Sequence, residues 1–130
     1  MKSRNFVSLS IGLLTISDTR SIDEDKSGNL LYERICKSGH EVLCRKIVKD
    51  DVSQIKKIVK KWIQKTDIDV VISTGGTGLT GRDVSPEAFR EIFDKEIEGF
   101  GELFRFISFQ KIGTSTIQSR AVAGVSNGIY

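Results

Sequence analysis

Apolar residues cluster in three short runs in the first part of the chain, and each run predicts a β-strand. The first covers residues 6–17, and its near-continuous apolar character is typical of a strand buried on both faces. The second and third cover residues 42–48 and 69–73. None of the three shows the strict alternation expected of a strand with one face in water.

Between these runs, apolar residues recur at helical spacing. Leu31 and Ile35 indicate a first helix, which we expect Gly39 to end. Residues 52–63 predict a second helix with an apolar stripe on one side and lysines on the other. Ser85, directly before a proline, is expected to cap a third helix.

Strands and helices therefore alternate, which predicts an α/β fold. Right-handed crossovers then give a parallel sheet with helices on both faces. The length of 130 residues fits a single domain, because two domains would each lack an adequate core. Ligands bind at the carboxyl ends of such strands, so residues 17–20, 49–51 and 74–83 are predicted to converge on one crevice.

The last third of the chain is rich in phenylalanine. Six of the seven Phe residues lie between Phe89 and Phe109. They fit either core packing or a subunit interface, because a short helix in a small domain rarely buries so many rings.

The chain ends close to a predicted hairpin. Residues 121–125 resemble a strand, and Asn127-Gly128 is a preferred two-residue turn. Only Ile129 and Tyr130 remain to pair back. We therefore expect residues 1–130 to be a C-terminally truncated form of a longer protein.

Composition and charge exclude several classes of protein. The chain is 38% hydrophobic and 28% charged, as in ordinary globular proteins, and its longest apolar run is too short to span a membrane. A net charge of +3 does not indicate a nucleic-acid partner, and no aromatic platform interleaves the lysines of the second helix. Cys36 and Cys44 stand outside any zinc spacing, so we expect free thiols in a cytoplasmic protein.

The two halves of the chain differ in charge. Residues 1–66 carry 14 Lys and Arg against 8 Asp and Glu, whereas residues 67–130 carry 6 against 9. Such a field suits an anionic ligand or a partner subunit, although a solvated basic face is the commoner explanation.

The densest chemistry lies in residues 74–83, TGGTGLTGRD. Glycines let the backbone approach a ligand closely, and successive N–H groups can then point at phosphate oxygens. Thr74 and Thr77 add hydroxyl donors, and Arg82 adds a charged fork. Gly75, Gly76, Thr77 and Gly78 are predicted to form a phosphate-binding turn.

Two familiar patterns match this loop only in part. Gly76, Gly78 and Gly81 satisfy the dinucleotide fingerprint, but three residues intervene before Ser85, and no acid follows at the end of a strand. A P-loop would need Lys and Ser/Thr where the chain has Arg82 and Asp83. An NAD-binding domain is therefore a weak alternative.

The longer string STGGTGLTGRDVSPEAF, residues 73–89, closely resembles the signature of the molybdopterin-binding MoaB/MogA family, which assembles molybdenum cofactor. The resemblance extends to TISD at 15–18, DKSG at 25–28 and VKDD at 48–51. EGFGELFR at 98–105, GTST at 113–116 and SRA at 119–121 are similar to MoaB rather than to MogA.

The resemblance implies a three-layer αβα sandwich with a mostly parallel, Rossmann-like sheet, assembled as a trimer or a hexamer. It also implies a molybdopterin adenylyltransferase, which uses Mg²⁺ and ATP to move AMP onto the terminal phosphate of molybdopterin and releases pyrophosphate. The alternative is a non-catalytic pterin-binding or assembly protein of the same pathway.

Carried over by position, the resemblance implies that Asp50 and Asp83 are the catalytic carboxylates and hold Mg²⁺. Each also has a structural explanation: Asp83 can hydrogen-bond the turn, and Asp50 can cap a helix, although Asp51 with Gln54 can fill that position instead. The expected substrate- and phosphate-binding residues are Ser17, Asp18, Ser27, Thr74, Gly75, Gly76, Thr77, Gly78 and Arg82.

Several of these residues have local roles open to them as well. Ser27 can cap the first helix, and Ser17 and Asp18 can serve ordinary loop chemistry. Arg120 and Lys111 reach the pterin phosphate in one interpretation and are surface charges in the other.

Overall fold

A three-stranded parallel sheet forms the centre of the structure, a computed structural model that describes residues 4–19, 21–65 and 67–130. β1 (Ser10–Ile16) lies between β2 (Glu41–Val48) and β3 (Val70–Thr74). Thr15 is level with Ile47 on one neighbour and with Thr74 on the other. Arg20, in the first predicted crevice segment, lies outside the described residues.

Helices cover both faces of this sheet. On one face Ile11 and Leu13 of β1 pack with Ile35 of α1 (Lys26–Lys37). On the other face Leu14 and Ile16 pack against α2 (Val52–Ile63) and α3 (Ser85–Arg90). Both faces of the central strand are therefore buried, and the predicted three-layer α/β fold is confirmed.

The first strand is shorter than the apolar run that predicted it. Phe6 and Val7 are largely exposed and lie before the sheet begins. The Phe6 ring instead packs beside His40, with ring centroids 5.1 Å apart, where α1 has ended and the chain approaches β2. An apolar run thus overestimates a strand when part of it covers a neighbouring turn.

The end of the chain forms a smaller unit. β4 (Lys95–Glu96) pairs antiparallel with β5 (Gly124–Val125), and between them lie α4 (Glu98–Ile112) and a 3₁₀ helix, Gly113–Gln118. The strand predicted for residues 121–125 is therefore only its last two residues. None of the helices in the described part of the chain combines the length and apolar character needed to cross a membrane.

The predicted turn at Asn127-Gly128 is present, with φ of 50° and 76° as a type I′ turn requires. Ser126 and Ile129 pair across it. Tyr130 then lies along β3 instead of pairing back: its N–H donates to the Asp69 carbonyl, and its carbonyl accepts from Val71 at 2.8 Å.

The phenylalanines divide between two environments. Phe89 and Phe93 are half-buried, and Phe89 packs on the main core. The rings of α4, by contrast, are exposed, and Phe106 reaches 66%. Core packing therefore accounts for only part of the set.

Asp25 is a fully buried carboxylate that joins three elements. It accepts hydrogen bonds from the Thr15 hydroxyl of β1 at 2.5 Å and from the Gly28 N–H of α1 at 3.0 Å. Arg45 of β2 pairs with it at 3.2 Å. Burial raises the pKa of Asp25, but Thr15, Gly28 and Arg45 outweigh burial, so the pKa lies below its usual range.

We expect Asp25→Asn to lower the free energy of unfolding at pH 7 by roughly 2–3 kcal/mol, because Arg45 loses its buried counter-ion. Since the folded pKa of Asp25 is depressed, its stabilisation is present above about pH 4 and is lost as the pH falls further. The deficit should therefore shrink below pH 4. Urea unfolding measures both effects, and exposed Asp23→Asn is the control. A deficit below about 0.5 kcal/mol would contradict this role.

Candidate functional site

The carboxyl ends of the three parallel strands meet at one edge of the sheet, where Asp18 connects them. Asp18 follows β1, and one of its carboxylate oxygens accepts the N–H of Asp50, which follows β2, at 3.1 Å. Its other oxygen pairs with Arg82, from the loop after β3. The predicted convergence of these three segments is therefore present.

The loop after β3 opens with a left-handed turn at two glycines, Gly75 (φ +100°) and Gly76 (φ +69°). A Cβ at Gly75 would collide with the carbonyl oxygen of Ile16 at the end of β1. A Cβ at Gly76 would lie 2.9 Å from a carboxylate oxygen of Asp50. Glycine is thus needed for both conformation and space, and Asp50 lies directly against the loop.

Ser85 closes this turn and does not cap α3, so the predicted cap is wrong. Val84 precedes the helix, and the buried Ser85 hydroxyl donates to the Gly75 carbonyl at 2.7 Å. The Ser85 N–H donates to the Gly76 carbonyl at 3.0 Å. The Ser85 hydroxyl forms a tertiary hydrogen bond instead of a helix cap, and capping rules consider only residues next to the helix.

Asp83 turns its carboxylate back onto the same loop. It accepts from the Thr80 hydroxyl at 2.6 Å and from the Thr80 N–H at 3.0 Å, and it lies beside Gly78. The hydrogen bond from the Thr80 hydroxyl, followed by that from its N–H, holds the pKa of Asp83 below its usual range. Asp83 is therefore ionised and fixes the turn, whatever else it does.

Asp50 has the opposite electrostatic setting. Burial, and then the negative charges of Asp18 and Asp83, raise the pKa of Asp50, while Arg82 opposes them. The pKa of Asp18 is instead lowered, by the Asp50 N–H and then by Arg82. The predicted acids are thus close enough to repel one another, and a bound cation would relieve that repulsion.

The residues at this edge fit a Mg²⁺ ion that is held jointly by the protein and by the phosphates of a substrate. Within the described ranges, no group of three or more His, Cys, Asp or Glu residues is arranged to hold a metal ion without help. Mg²⁺ is usually held by one or two carboxylates, with substrate phosphates and waters completing its shell. Asp50, which lies against Gly76, and Asp83, within the glycine loop, supply that number.

The other predicted residues lie around the same edge. Ser17 donates its N–H to the Val48 carbonyl at 2.8 Å, Thr74 is the last residue of β3, and Thr77 is exposed on the loop. Ser27 lies in the first turn of α1 and is not its cap, because Asp25 occupies that position. Arg82 remains largely exposed although it pairs with Asp18.

Sequence reasoning gave no structural role to Asp25 and did not find the partners of Arg120. The start of α1 depends on the buried Asp25 carboxylate, whose only sequence signal is an acid three residues before Gly28. For Arg120 the sequence left two interpretations open, contact with a ligand phosphate and a surface charge. Instead it contacts two carbonyls of the glycine loop, Gly78 and Asp83, across about 40 residues of chain.

Two hollows of the surface lie away from the glycine loop. One of about 560 Å³ is bordered by the first turns of α2 and its lysines, and one of about 400 Å³ lies between α4 and residues 119–122. Both are open, and the glycine loop lines neither. At the strand-end crevice a ligand would instead meet backbone amides and carboxylates.

The sheet and its glycine loop define an α/β protein whose strand-end loop is built to approach an anionic ligand, and comparison with known proteins identifies its family. Residues 12–129 match the family described as "Probable molybdopterin binding domain". The chain therefore belongs to the MoaB/MogA family of molybdenum cofactor biosynthesis proteins.

Relatives of known name extend this result. The chain is similar to molybdenum cofactor biosynthesis protein B of Escherichia coli K12, with 49% identity over 125 residues, 96% of this chain and 74% of the relative. A crystal structure of a molybdenum cofactor biosynthesis protein B has 47% identity and a TM-score of 0.90, covering 95% and 77%. The tungsten cofactor synthesizing protein MoaB of Pyrococcus furiosus has 39% identity and a TM-score of 0.80, covering 92% and 74%.

We expect Asp50 to titrate above the ordinary aspartate value of about 3.9, and Asp18 and Asp83 below it. Asp18→Asn should lower the pKa of Asp50, because it removes one repelling charge. Carboxyl ¹³C NMR titration measures each group, and Asp23→Asn is the control, because the charges that act on Asp50 are those of Asp18, Asp83 and Arg82. An Asp50 pKa at or below 3.9 in the unmodified chain would contradict the clustering of the acids.

Proposed function

We propose that this protein binds molybdopterin and transfers AMP from Mg-ATP to its terminal phosphate, releasing pyrophosphate. The observation that carries the proposal is the position of Asp50, whose carboxylate lies against Gly76 in a loop that also holds Asp83. The relatives' names indicate the pathway and therefore the pterin; the nucleotide chemistry rests on the site.

The chain's own residues have distinct tasks in this proposal. Backbone N–H groups of residues 75–78 hold phosphate oxygens, because glycine lets the chain approach them closely. Arg82 at the rim offers a charge to an entering phosphate, since its side chain is largely exposed. Ser17, Ser27 and Thr77 add polar groups around the same edge.

Asp50 and Asp83 would hold Mg²⁺, which when bound neutralises triphosphate charge and favours attack at the α-phosphorus. The reaction joins a terminal phosphate oxygen of molybdopterin to that phosphorus and breaks its bond to pyrophosphate. The raised pKa of Asp50 has a consequence here: as the pH falls, Asp50 takes up a proton first and loses its capacity to bind a cation.

A non-catalytic pterin-binding or assembly protein is the second candidate. It is favoured by one observation: the Asp83 carboxylate is already engaged by both donors of Thr80. In that case Asp83 maintains the shape of the turn, and the loop binds an anion without chemistry.

Incubation with molybdopterin, Mg²⁺ and labelled ATP separates the two candidates. We expect AMP on the pterin, and a loss of more than about 100-fold in rate for Asp50→Asn and Asp83→Asn, because each removes a negative charge that holds the metal. Asp51→Asn is the matched control, since Asn retains the cap of α2. Pterin binding without AMP transfer would contradict the enzyme and support the second candidate.

We further propose that copies of this chain assemble, as a trimer or a hexamer, through α4. Large apolar side chains are exposed on several sides of this helix and on the 3₁₀ helix after it: Phe100, Leu103, Phe104, Phe106, Ile107, Phe109, Ile112 and Ile117. Exposed apolar side chains in this number on one segment normally mark a surface that a partner covers. Eight half-exposed side chains offer on the order of 800 Å², the area that one partner contributes to a stable interface.

We expect Phe104→Glu and Phe106→Glu to convert the assembly to monomers, because each places a charge in the buried interface. Sedimentation velocity measures the change. Gln110→Glu, which puts the same charge on an exposed polar position of α4, is the control and should leave the assembly intact. A monomeric unmodified chain at micromolar concentration would contradict the proposal.

The cytoplasm suits this function, and we propose it as the location. Cys36 and Cys44 are both free thiols, which a reducing compartment preserves.

A further inference from the structure

Arg120, near the end of the chain, donates hydrogen bonds to backbone carbonyls of the glycine loop. It lies just after the 3₁₀ helix and is about three-quarters buried. Its Nε donates to the Gly78 carbonyl at 2.6 Å, and one terminal nitrogen donates to the Asp83 carbonyl at 2.7 Å. The other terminal nitrogen pairs with Glu87 of α3.

These contacts engage the whole guanidinium group of Arg120 with partners inside the protein. All three of its nitrogens have partners, and Glu87 balances its charge. The guanidinium is planar, so the three partners must keep fixed relative positions for one side chain to serve them all. Arg120 is therefore not placed to bind a ligand phosphate.

The two carbonyls that Arg120 holds bracket the part of the loop that contains Asp83. Within this part, the Asp83 N–H donates to the Thr80 carbonyl and the Asp83 carboxylate accepts from Thr80, while the exposed Arg82 side chain pairs with Asp18. In a planar trans peptide the C=O and the following N–H point in opposite directions. Arg120 fixes the carbonyls of Gly78 and Asp83. It therefore also fixes the directions of the N–H groups of the residues that follow them, Leu79 and Val84.

We propose that Arg120 is a positioning residue that holds residues 78–83 in their ligand-binding conformation before a ligand arrives. This rests on the proposed function in one respect, namely that the loop binds the phosphates of Mg-ATP. Without Arg120 the loop samples other conformations. The apparent Kd then rises, because it equals the intrinsic Kd divided by the fraction of molecules whose loop is in the binding-competent conformation.

Lysine provides the sharpest substitution. Arg120→Lys keeps the positive charge and can still approach Glu87, but an ammonium group cannot serve two carbonyls and a carboxylate in one plane. Arg90→Lys is the matched control: Arg90 is the last residue of α3 and pairs with Glu96 on the surface.

Hydrogen exchange of the full chain tests the positioning without reference to activity. In Arg120→Lys we expect amides of residues 78–84 to exchange at least about tenfold faster, while amides of β1 keep their protection. Arg90→Lys should change neither. Uniform acceleration across β1 and the loop would instead show a general loss of stability and overturn the proposal, as would unchanged exchange in the loop.

Kinetics then test what the positioning does. With Mg-ATP as the varied substrate, we expect Arg120→Lys to raise KM about tenfold and to change kcat less than about threefold, because saturating ligand reorders the loop. A fall in kcat at unchanged KM would overturn the proposal. If the unmodified chain neither binds nor uses Mg-ATP, the proposed function fails, while the exchange measurement still decides whether Arg120 holds the loop.

Discussion

The site depends on a steric constraint: after β3 the chain must turn back across the end of β1, where no side chain fits. Gly75 and Gly76 meet this constraint with left-handed backbone and no Cβ, against the Ile16 carbonyl and the Asp50 carboxylate. Ser85 fastens the turn through its hydroxyl and its N–H. Once the turn is made, the ends of all three strands lie within contact of one another.

That convergence brings the negative charges of three aspartates together, and the surrounding groups compensate the three charges unequally. Asp18 and Asp83 are stabilised as carboxylates by N–H groups, hydroxyls and arginine. Asp50 receives the repulsion of both, together with partial burial. One acid therefore remains incompletely compensated, which is why we propose that this site takes up a cation.

The elements that were predicted from the sequence are those determined by residues close together in the chain. The three strands, α1, α2 and the Asn127-Gly128 turn follow from hydrophobic periodicity and turn preferences, and the βα order was sufficient to bring Asp18, Asp50 and the glycine loop to one edge. The contacts that were missed span long stretches of chain or replace a local partner. Arg120 reaches the loop from about 40 residues away, and Ser85 bonds Gly75 where a cap was expected. The apolar surface of α4 had two explanations because periodicity cannot distinguish a core from an interface between copies.

The most direct test is a crystal structure of the full chain with Mn²⁺ and a non-hydrolysable ATP analogue, in which anomalous scattering locates the metal. We expect one Mn²⁺ ion bridging the analogue's phosphates and the carboxylates of Asp50 and Asp83, with phosphate oxygens against the amides of residues 75–78. Metal and nucleotide bound together elsewhere, with the glycine loop unchanged and unliganded, would contradict the assignment of this site.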